Sequence, residues 1–179
     1  MKTRIMVSCL LILAPFLAVS QGTPTLAVTT TPVKVDGVFD AKEYSLVTEA
    51  AGIRLGLTRT ADTLYVGVSA ATTGWVAAGF GSPRMDGAVM YLGHASGTSG
   101  DMKIQKGMGH RHADVETEAP RQYGIRETAG TTVLEVALPA DTVIAAGQGK
   151  LTVILAMGAT DSFSAYHKAR ATVAVDLAR

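Results

Sequence analysis

The chain has 179 residues, 47% of them hydrophobic and 6% aromatic, and its 16 Lys and Arg nearly balance 15 Asp and Glu. A formal net charge of +1 leaves no basic surplus, so the composition argues against a nucleic-acid-binding protein. The one cysteine, Cys9, excludes an internal disulfide, a thiolate metal cluster and the Cys-x-x-Cys-His motif that attaches haem covalently.

Residues 1–20 have the pattern of a secretory signal peptide: a basic start with Lys2 and Arg4, a short apolar run, and small residues before the expected cleavage after Ser20. The run is short for a membrane span and contains Pro15, so a permanent anchor is the weaker interpretation. Cleavage removes two of the 16 basic residues and no acidic one, which leaves 14 against 15 and a formal charge of −1. The pattern predicts a secreted or periplasmic protein that does not insert into a membrane after cleavage.

Residues 21–32 are rich in Thr and Pro and are predicted to be a flexible leader, followed by one domain over residues 33–179. In that domain apolar residues alternate with period two, which is the pattern of strands with one buried face. The predicted strands are residues 52–60, 63–70, 75–80, 88–93, 132–138, 150–158 and 171–177. Residues 140–146 are expected to form one short helical turn, and residues 94–120 long loops around at most one or two short strands.

Many short strands at regular spacing predict an all-β fold, an antiparallel Ig-like β-sandwich of about nine to eleven strands. We find no Ser/His/Asp arrangement, no glycosidase-like pair of carboxylates and no phosphate-binding glycine loop. The chain is therefore expected to bind a ligand or transfer electrons rather than to act as an enzyme by itself, and no catalytic residue is assigned.

Met85 lies on a Gly/Pro/Arg turn between two predicted strands, where a methionine is poorly placed to fill the core. His167 lies just ahead of the last predicted strand, next to Tyr166 and between cationic residues. A thioether and an imidazole on loops at strand ends suit the two axial positions of a haem iron, and the thioether raises the reduction potential. Because both axial positions would be filled, such a site transfers electrons and does not bind oxygen or a substrate.

Four segments resemble a DOMON domain, the β-sandwich of extracellular b-type cytochromes and of the cytochrome part of cellobiose dehydrogenase. The segments are KVDGVFDAKEYS (34–45), TLYV (63–66), TGWVAAGFGSPRMDGAVMYLGH (73–94) and DSFSAYHKARATVAVDL (161–177). In haem-binding members, the methionine after the Gly-Phe strand and the histidine of the late Tyr-His segment are the iron ligands. The resemblance implies a noncovalent haem b, with Met85 and His167 as its axial ligands.

Six further residues are candidates for contacts with the haem, on the pocket wall or at its carboxylates. They are Trp75, Phe80, Arg84, Tyr166, Lys168 and Arg170. The two aromatic residues on the strand before the turn are equally suited to the sandwich core. The three cations are suited to haem propionates through charge-assisted hydrogen bonds, and equally to solvent.

Two alternatives remain open. A DOMON-like sandwich without haem can bind a sugar or another small ligand, with Trp75 and Tyr166 as stacking platforms, although the low aromatic content weighs against it. His110 and His112 form a His-x-His pair with Asp114 in the same alternating register, which is compatible with a surface copper or zinc site. Under the cytochrome interpretation, we expect the partner to be a redox protein, either free or bound to a membrane. A nucleic-acid partner is not expected.

Overall fold

The computed structural model describes residues 23–96, 99–117 and 119–178, and the predicted signal peptide lies outside them. The described residues form twelve strands and one short helix. The elements are β1 (Thr25–Leu26), β2 (Leu46–Ala50), β3 (Ile53–Arg59), β4 (Thr63–Ala70), β5 (Val76–Phe80), β6 (Val89–Ser96), β7 (Ser99–Met108), β8 (Arg111–Asp114), β9 (Gln122–Thr128), β10 (Thr131–Pro139), α1 (Ala140–Val143), β11 (Lys150–Gly158) and β12 (His167–Leu177).

The strands form two sheets, which confirms the predicted β-sandwich. The seven-stranded sheet has the order β1-β12-β11-β5-β6-β7-β8, and the five-stranded sheet has the order β2-β3-β4-β10-β9. Every neighbouring pair of these strands is antiparallel except β1 and β12, which run parallel. Short turns join most sequential neighbours, as expected of an antiparallel sandwich.

The core lies between the two sheets and follows from the alternation in the sequence. On β3, Ile53, Leu55 and Leu57 are fully buried, and the register places Leu55 opposite Val68 and Leu57 opposite Val66 on β4. β11 contributes an equivalent buried row from the other sheet. Alternate residues of each strand therefore point away from this core, onto the outer face of their sheet.

The structure differs from the sequence prediction in five segments, of which two are the strands β2 and β9, absent from the prediction. Residues 23–32, expected to belong to a flexible leader, contain β1, which pairs with β12 and buries Leu26. Residues 94–120, expected to be mainly loops, contain the ten-residue β7 and the hairpin that it forms with β8. His167, expected ahead of the last strand, is the first residue of β12. No helix among the described residues is long and apolar enough to cross a membrane.

One buried carboxylate holds the segment that covers the outer face of the five-stranded sheet. Glu135 on β10 is 1% exposed, and its Oε2 accepts hydrogen bonds from the backbone N–H groups of Asp36 and Gly37, both at 2.9 Å. The Tyr44 hydroxyl donates to Oε1 of the same carboxylate at 2.5 Å, and its ring lies over Gly67, where any Cβ would collide with it. Burial raises the pKa of Glu135, while these three hydrogen bonds act in the opposite direction.

Replacing Glu135 with Ala leaves those three donors without their acceptor in a buried position. We expect the free energy of unfolding to fall by about 2–4 kcal/mol, measured by urea denaturation. Glu49→Ala removes an exposed carboxylate from β2 and is the matched control, with an expected change below about 0.5 kcal/mol. Equal stability of the two variants would contradict a structural role for Glu135.

Candidate functional site

The outer face of the seven-stranded sheet carries a second apolar cluster, separate from the core between the sheets. Its buried members are Trp75, Ala77, Ala88, Met90 and Leu92, and the partly buried residues packed against them are Met85, Ile154, Ala156 and Phe163. We call these nine residues the outer-face cluster. Trp75 immediately precedes β5, and the others come from β5, β6 and β11 and from two loops, residues 81–88 and 159–166, that reach over the sheet from opposite ends of β5.

The loop that carries Met85 is held against strands on both sides of the sheet. On one side, Thr172 of β12 donates from its Oγ1 to the carbonyl of Pro83 at 3.3 Å. On the other, Asp86 forms a β-bridge with Gly107 of β7, and a Cβ on Gly107 would collide with the Met85 carbonyl. These contacts place the loop across the outer face of the sheet, between β12 on one side and β7 on the other. The loop is thus fixed in position. Its residue Met85 is half-buried, and the Met85 side chain packs against the cluster.

His167 lies at the end of β5 opposite the Met85 loop. It pairs with Gly158 at a bulge between β11 and β12, and Gly158 in turn is hydrogen-bonded to the backbone of Trp75 at 2.8 Å. Its ring stacks on that of Tyr166, with centroids 4.2 Å apart. Burial, and then the positive charge of Arg170, lower the pKa of His167, so both effects favour the neutral imidazole, the form that binds a metal.

The structure places Met85 and His167 at opposite ends of the outer-face cluster rather than side by side. β5 spans the distance between them, since Trp75 precedes this strand at the His167 end and the Met85 loop follows it. From Trp75 to Gly79 the strand extends about 13 Å. The middle of that span carries only small outward side chains on β5 and β11, because Ala77 lies opposite Ala156 there.

The other residues predicted to contact a cofactor are divided among three environments. Trp75 belongs to the outer-face cluster. Phe80 does not: it is 2% exposed and lies in the core between the sheets against Tyr91, so it cannot line a pocket on the outer face. Arg84, Lys168 and Arg170 are exposed, and Tyr166 is 83% exposed.

A polar network on the same face was missed at the level of sequence. Gln105 on β7 is buried, with its Nε2 donating to Asp114 at 2.7 Å and its Oε1 lying 2.6 Å from Nδ1 of His112. Lys103 also donates to Asp114, at 3.0 Å, and these two hydrogen bonds lower the pKa of Asp114, the one from Gln105 most. The sequence did contain a signal for the strand that carries this network. Lys103, Gln105 and Gly107 occur at every second position, which is the pattern of residues on one face of a strand.

A cavity of about 380 Å³ lies between this network and residues 161–164. It is lined by Lys103, Gln105, His112, Asp161, Ser162, Phe163 and Ser164. His110, the other member of the His-x-His pair, is exposed at the β7–β8 turn. Within the described ranges, no group of three or more His, Cys, Asp or Glu side chains is arranged to hold a metal ion, so the copper or zinc alternative gains no support.

No protein-family model matches the chain, and no curated protein matches it in sequence. Solved structures do match its fold. The cytochrome b domain of pyranose dehydrogenase from Coprinopsis cinerea has a TM-score of 0.53 at 13% identity, covering 69% of this chain and 76% of that one. The cytochrome domain of cellobiose dehydrogenase from Myriococcum thermophilum has a TM-score of 0.55 at 10% identity, covering 70% and 75%.

A third similar structure has a different function. It is a family 9 carbohydrate-binding module from Caldicellulosiruptor kristjanssonii in complex with cellotriose, with a TM-score of 0.53 at 11% identity, covering 86% of this chain and 92% of that one. At these identities the similarity establishes a shared sandwich fold, which cytochrome domains and a carbohydrate-binding module have in common. The choice between their functions depends on the residues of the site.

Replacing Gly158 with Ala tests the position of Trp75 in the cluster. A Cβ at residue 158 would overlap the indole ring, so we expect the ring to be displaced and the protein to lose about 1–3 kcal/mol of stability. Trp75 is the only tryptophan, so its fluorescence emission should shift to longer wavelength as the ring becomes exposed. Gly149→Ala, where a Cβ meets nothing within 4 Å, should leave the emission unchanged.

Proposed function

We propose that the protein is exported and binds a noncovalent haem b on the outer face of the seven-stranded sheet, where it exchanges single electrons with a redox partner. The observation that carries the proposal is the position of Met85, a thioether held by a fixed loop inside an apolar cluster. His167, with its lowered pKa, lies at the other end of that cluster. The fold similarity to two cytochrome domains supports the same interpretation.

The outer-face cluster has the apolar character that a flat macrocycle requires. Ala77 on β5 and Ala156 on β11 face each other at the middle of the span, so only methyl groups project outward from these two positions. Leu92 lies opposite Ala77 on β6, and Trp75 lies two residues before Ala77; both are buried and would exclude water from this position. The cluster itself contains no ionised side chain, so the macrocycle would bind there without removing water from a charged group.

The roles of the chain's own residues follow from this arrangement. A bound haem supplies a one-electron couple, and ligation by Met and His favours its reduced state. His167 would offer a neutral imidazole nitrogen, and Met85 a sulfur that needs no deprotonation at any pH. With Met85 and His167 holding the iron, the haem would exchange electrons rather than bind a substrate, and the domain would act in electron transfer rather than as an enzyme.

The surface next to His167 suits contact with a redox partner. Tyr166 is exposed and stacks on the His167 ring, and the neighbouring Lys168 and Arg170 are exposed cations. We expect the partner to offer an acidic surface here, since complementary charge accelerates association. Because residues 1–20 have the pattern of a signal peptide, we expect this partner in the periplasm or outside the cell, either free or bound to a membrane.

Absorption spectroscopy of the protein reconstituted with haem tests the proposal. We expect a low-spin spectrum whose visible bands sharpen on reduction with dithionite. Met85→Ala and His167→Ala should each abolish the six-coordinate spectrum and weaken haem binding by at least about tenfold.

Two matched variants serve as controls for that experiment. Met108→Ala and His110→Ala remove the same chemical groups from exposed positions at the β7–β8 hairpin, and both should keep the wild-type spectrum. Failure of the wild-type protein to develop a Soret band with added haem would overturn the proposal. If the two control variants lost haem binding to a similar extent, the assignment of Met85 and His167 as the iron ligands would be wrong.

One observation favours a second candidate, the binding of a sugar. The cavity beside the cluster combines an aromatic ring, Phe163, with amide, hydroxyl, imidazole, amino and carboxylate groups. Such a set of groups suits an uncharged polyhydroxy compound, and a carbohydrate-binding module is among the similar folds. Titration with cellotriose by calorimetry tests this: binding that Phe163→Ala and Gln105→Ala weaken, and that Met85→Ala leaves intact, would favour the sugar.

A further inference from the structure

A chain of three hydrogen-bonded side chains borders the polar cavity over β7 and β8. Gln105 is 6% exposed, and its amide nitrogen Nε2 donates to Oδ1 of Asp114 at 2.7 Å. Its amide oxygen Oε1 lies 2.6 Å from Nδ1 of His112. The register of β7 and β8 places Asp114 directly opposite Gln105, with His112 two residues away on the same face of β8. The buried amide therefore connects a carboxylate to an imidazole on the cavity wall.

The carboxylate fixes the direction of these hydrogen bonds. The bonds that Gln105 and then Lys103 donate to Asp114 lower the pKa of its carboxyl group, so Asp114 is ionised and is able only to accept. The Gln105 atom that faces it must therefore be the amide nitrogen, which leaves the amide oxygen facing His112. Because that oxygen also only accepts, Nδ1 of His112 carries the proton. In the neutral imidazole, Nε2 is then an unprotonated acceptor.

The groups around the cavity favour a ligand that donates hydrogen bonds and carries no negative charge. Nδ1 of His112 is already engaged, so Nε2 is the ring nitrogen left for a ligand. Asp161 adds a half-exposed carboxylate to the lining. Among the described residues that line the cavity, Lys103 is the one lysine or arginine, and its ammonium group already lies 3.0 Å from Asp114. An anionic ligand would therefore meet a lone pair and a carboxylate.

The remaining lining suits a sugar. The hydroxyl oxygens of Ser162 and Ser164 are 3.0 Å apart, and a hydroxyl group is able both to donate and to accept. Phe163 supplies an apolar ring between them in the chain. The volume of about 380 Å³ falls in the range of about 300–1,000 Å³ that small-molecule sites have.

We propose that His112 determines the specificity of this cavity: its Nε2 accepts a hydrogen bond from a ligand hydroxyl, so that the cavity binds a neutral sugar and rejects a sugar acid. This inference rests on the second candidate function, sugar binding at the cavity, and does not require haem. Gln105 is a positioning residue, because it holds the His112 ring and the proton on Nδ1. Asp114 fixes the orientation of the Gln105 amide in turn.

Nitrogen-15 NMR of the imidazole rings tests the proton position, at about pH 8, where imidazole side chains are generally neutral. We expect the wild-type protein to carry the His112 proton on Nδ1. Gln105→Leu removes the acceptor, so the proton should redistribute between the two ring nitrogens. His110, exposed at the β7–β8 turn, is the internal control, and its signals should be the same in both proteins. A His112 proton on Nε2 in the wild type would overturn the inference.

Calorimetric titration tests the specificity, with cellotriose and with the same trisaccharide after oxidation of its C6 alcohols to carboxylates. Wild type should bind cellotriose at least about tenfold more tightly than the oxidised form. His112→Phe keeps a planar ring and removes the acceptor, so its affinity for cellotriose should fall by about tenfold. His110→Phe is the matched control and should bind as wild type does. An unchanged Trp75 emission spectrum checks that each variant is folded.

The failures of the two ideas are distinguishable. Cellotriose binding that His112→Phe leaves intact would overturn the role of His112 and keep the sugar function, as would equal or tighter binding of the oxidised trisaccharide by wild type. Failure of wild type to bind either compound would overturn the sugar function and the role of His112 with it, even where NMR finds the proton on Nδ1.

Discussion

The outer face of the seven-stranded sheet is apolar over β5, β6 and β11, and this one constraint determines the rest of the site. A sandwich normally buries one face of each sheet and exposes the other to water. Here β5, β6 and β11 carry apolar residues on both faces, so a second cover is needed over Trp75, Ala77 and Leu92. The loops of residues 81–88 and 159–166 supply it from opposite ends, and these loops carry Met85 and lead into His167. The two proposed ligands are therefore near the cluster because the cluster has to be covered.

The two outer faces of the sandwich are covered in different ways. Over the five-stranded sheet, Glu135 accepts hydrogen bonds from Tyr44 and from two backbone N–H groups, and Tyr44 fills the space above Gly56 and Gly67. Over the seven-stranded sheet, in the part of the chain that the structure describes, two buried ring nitrogens, Trp75 Nε1 and His94 Nδ1, have no hydrogen-bond partner. The two covers therefore differ in how far their buried polar groups are satisfied.

The sequence predicted the strands in which apolar and polar residues alternate clearly, and it missed strands that lack this alternation. β3, β4, β10 and β11 alternate clearly, and the sandwich followed from them. β7 was missed because its outward positions, such as Lys103 and Gln105, are polar and join a hydrogen-bonded network that no local pattern reveals. β1 was missed because a two-residue strand is defined only by its partner, β12.

The candidate site was predictable in part. Met85 and His167 were found from their resemblance to a family motif, and their separation along β5 required the register. Trp75 and Phe80 are five residues apart, so strand alternation alone puts their rings on opposite faces. Because residues 75–80 are all apolar or glycine, the sequence does not say which ring faces the core, and the structure places Phe80 in the core and Trp75 in the outer-face cluster.

The shared fold of cytochrome domains and a carbohydrate-binding module leaves the chemistry to the outer face, where this chain keeps two environments side by side. The cluster over β5 is apolar and suits a macrocycle, whereas the cavity over β7 and β8 is polar and suits hydroxyl groups. Phe163 contributes to both. Because Phe163 lies on the loop that leads to His167, a displacement of this one ring would change the shape of the cluster and of the cavity together.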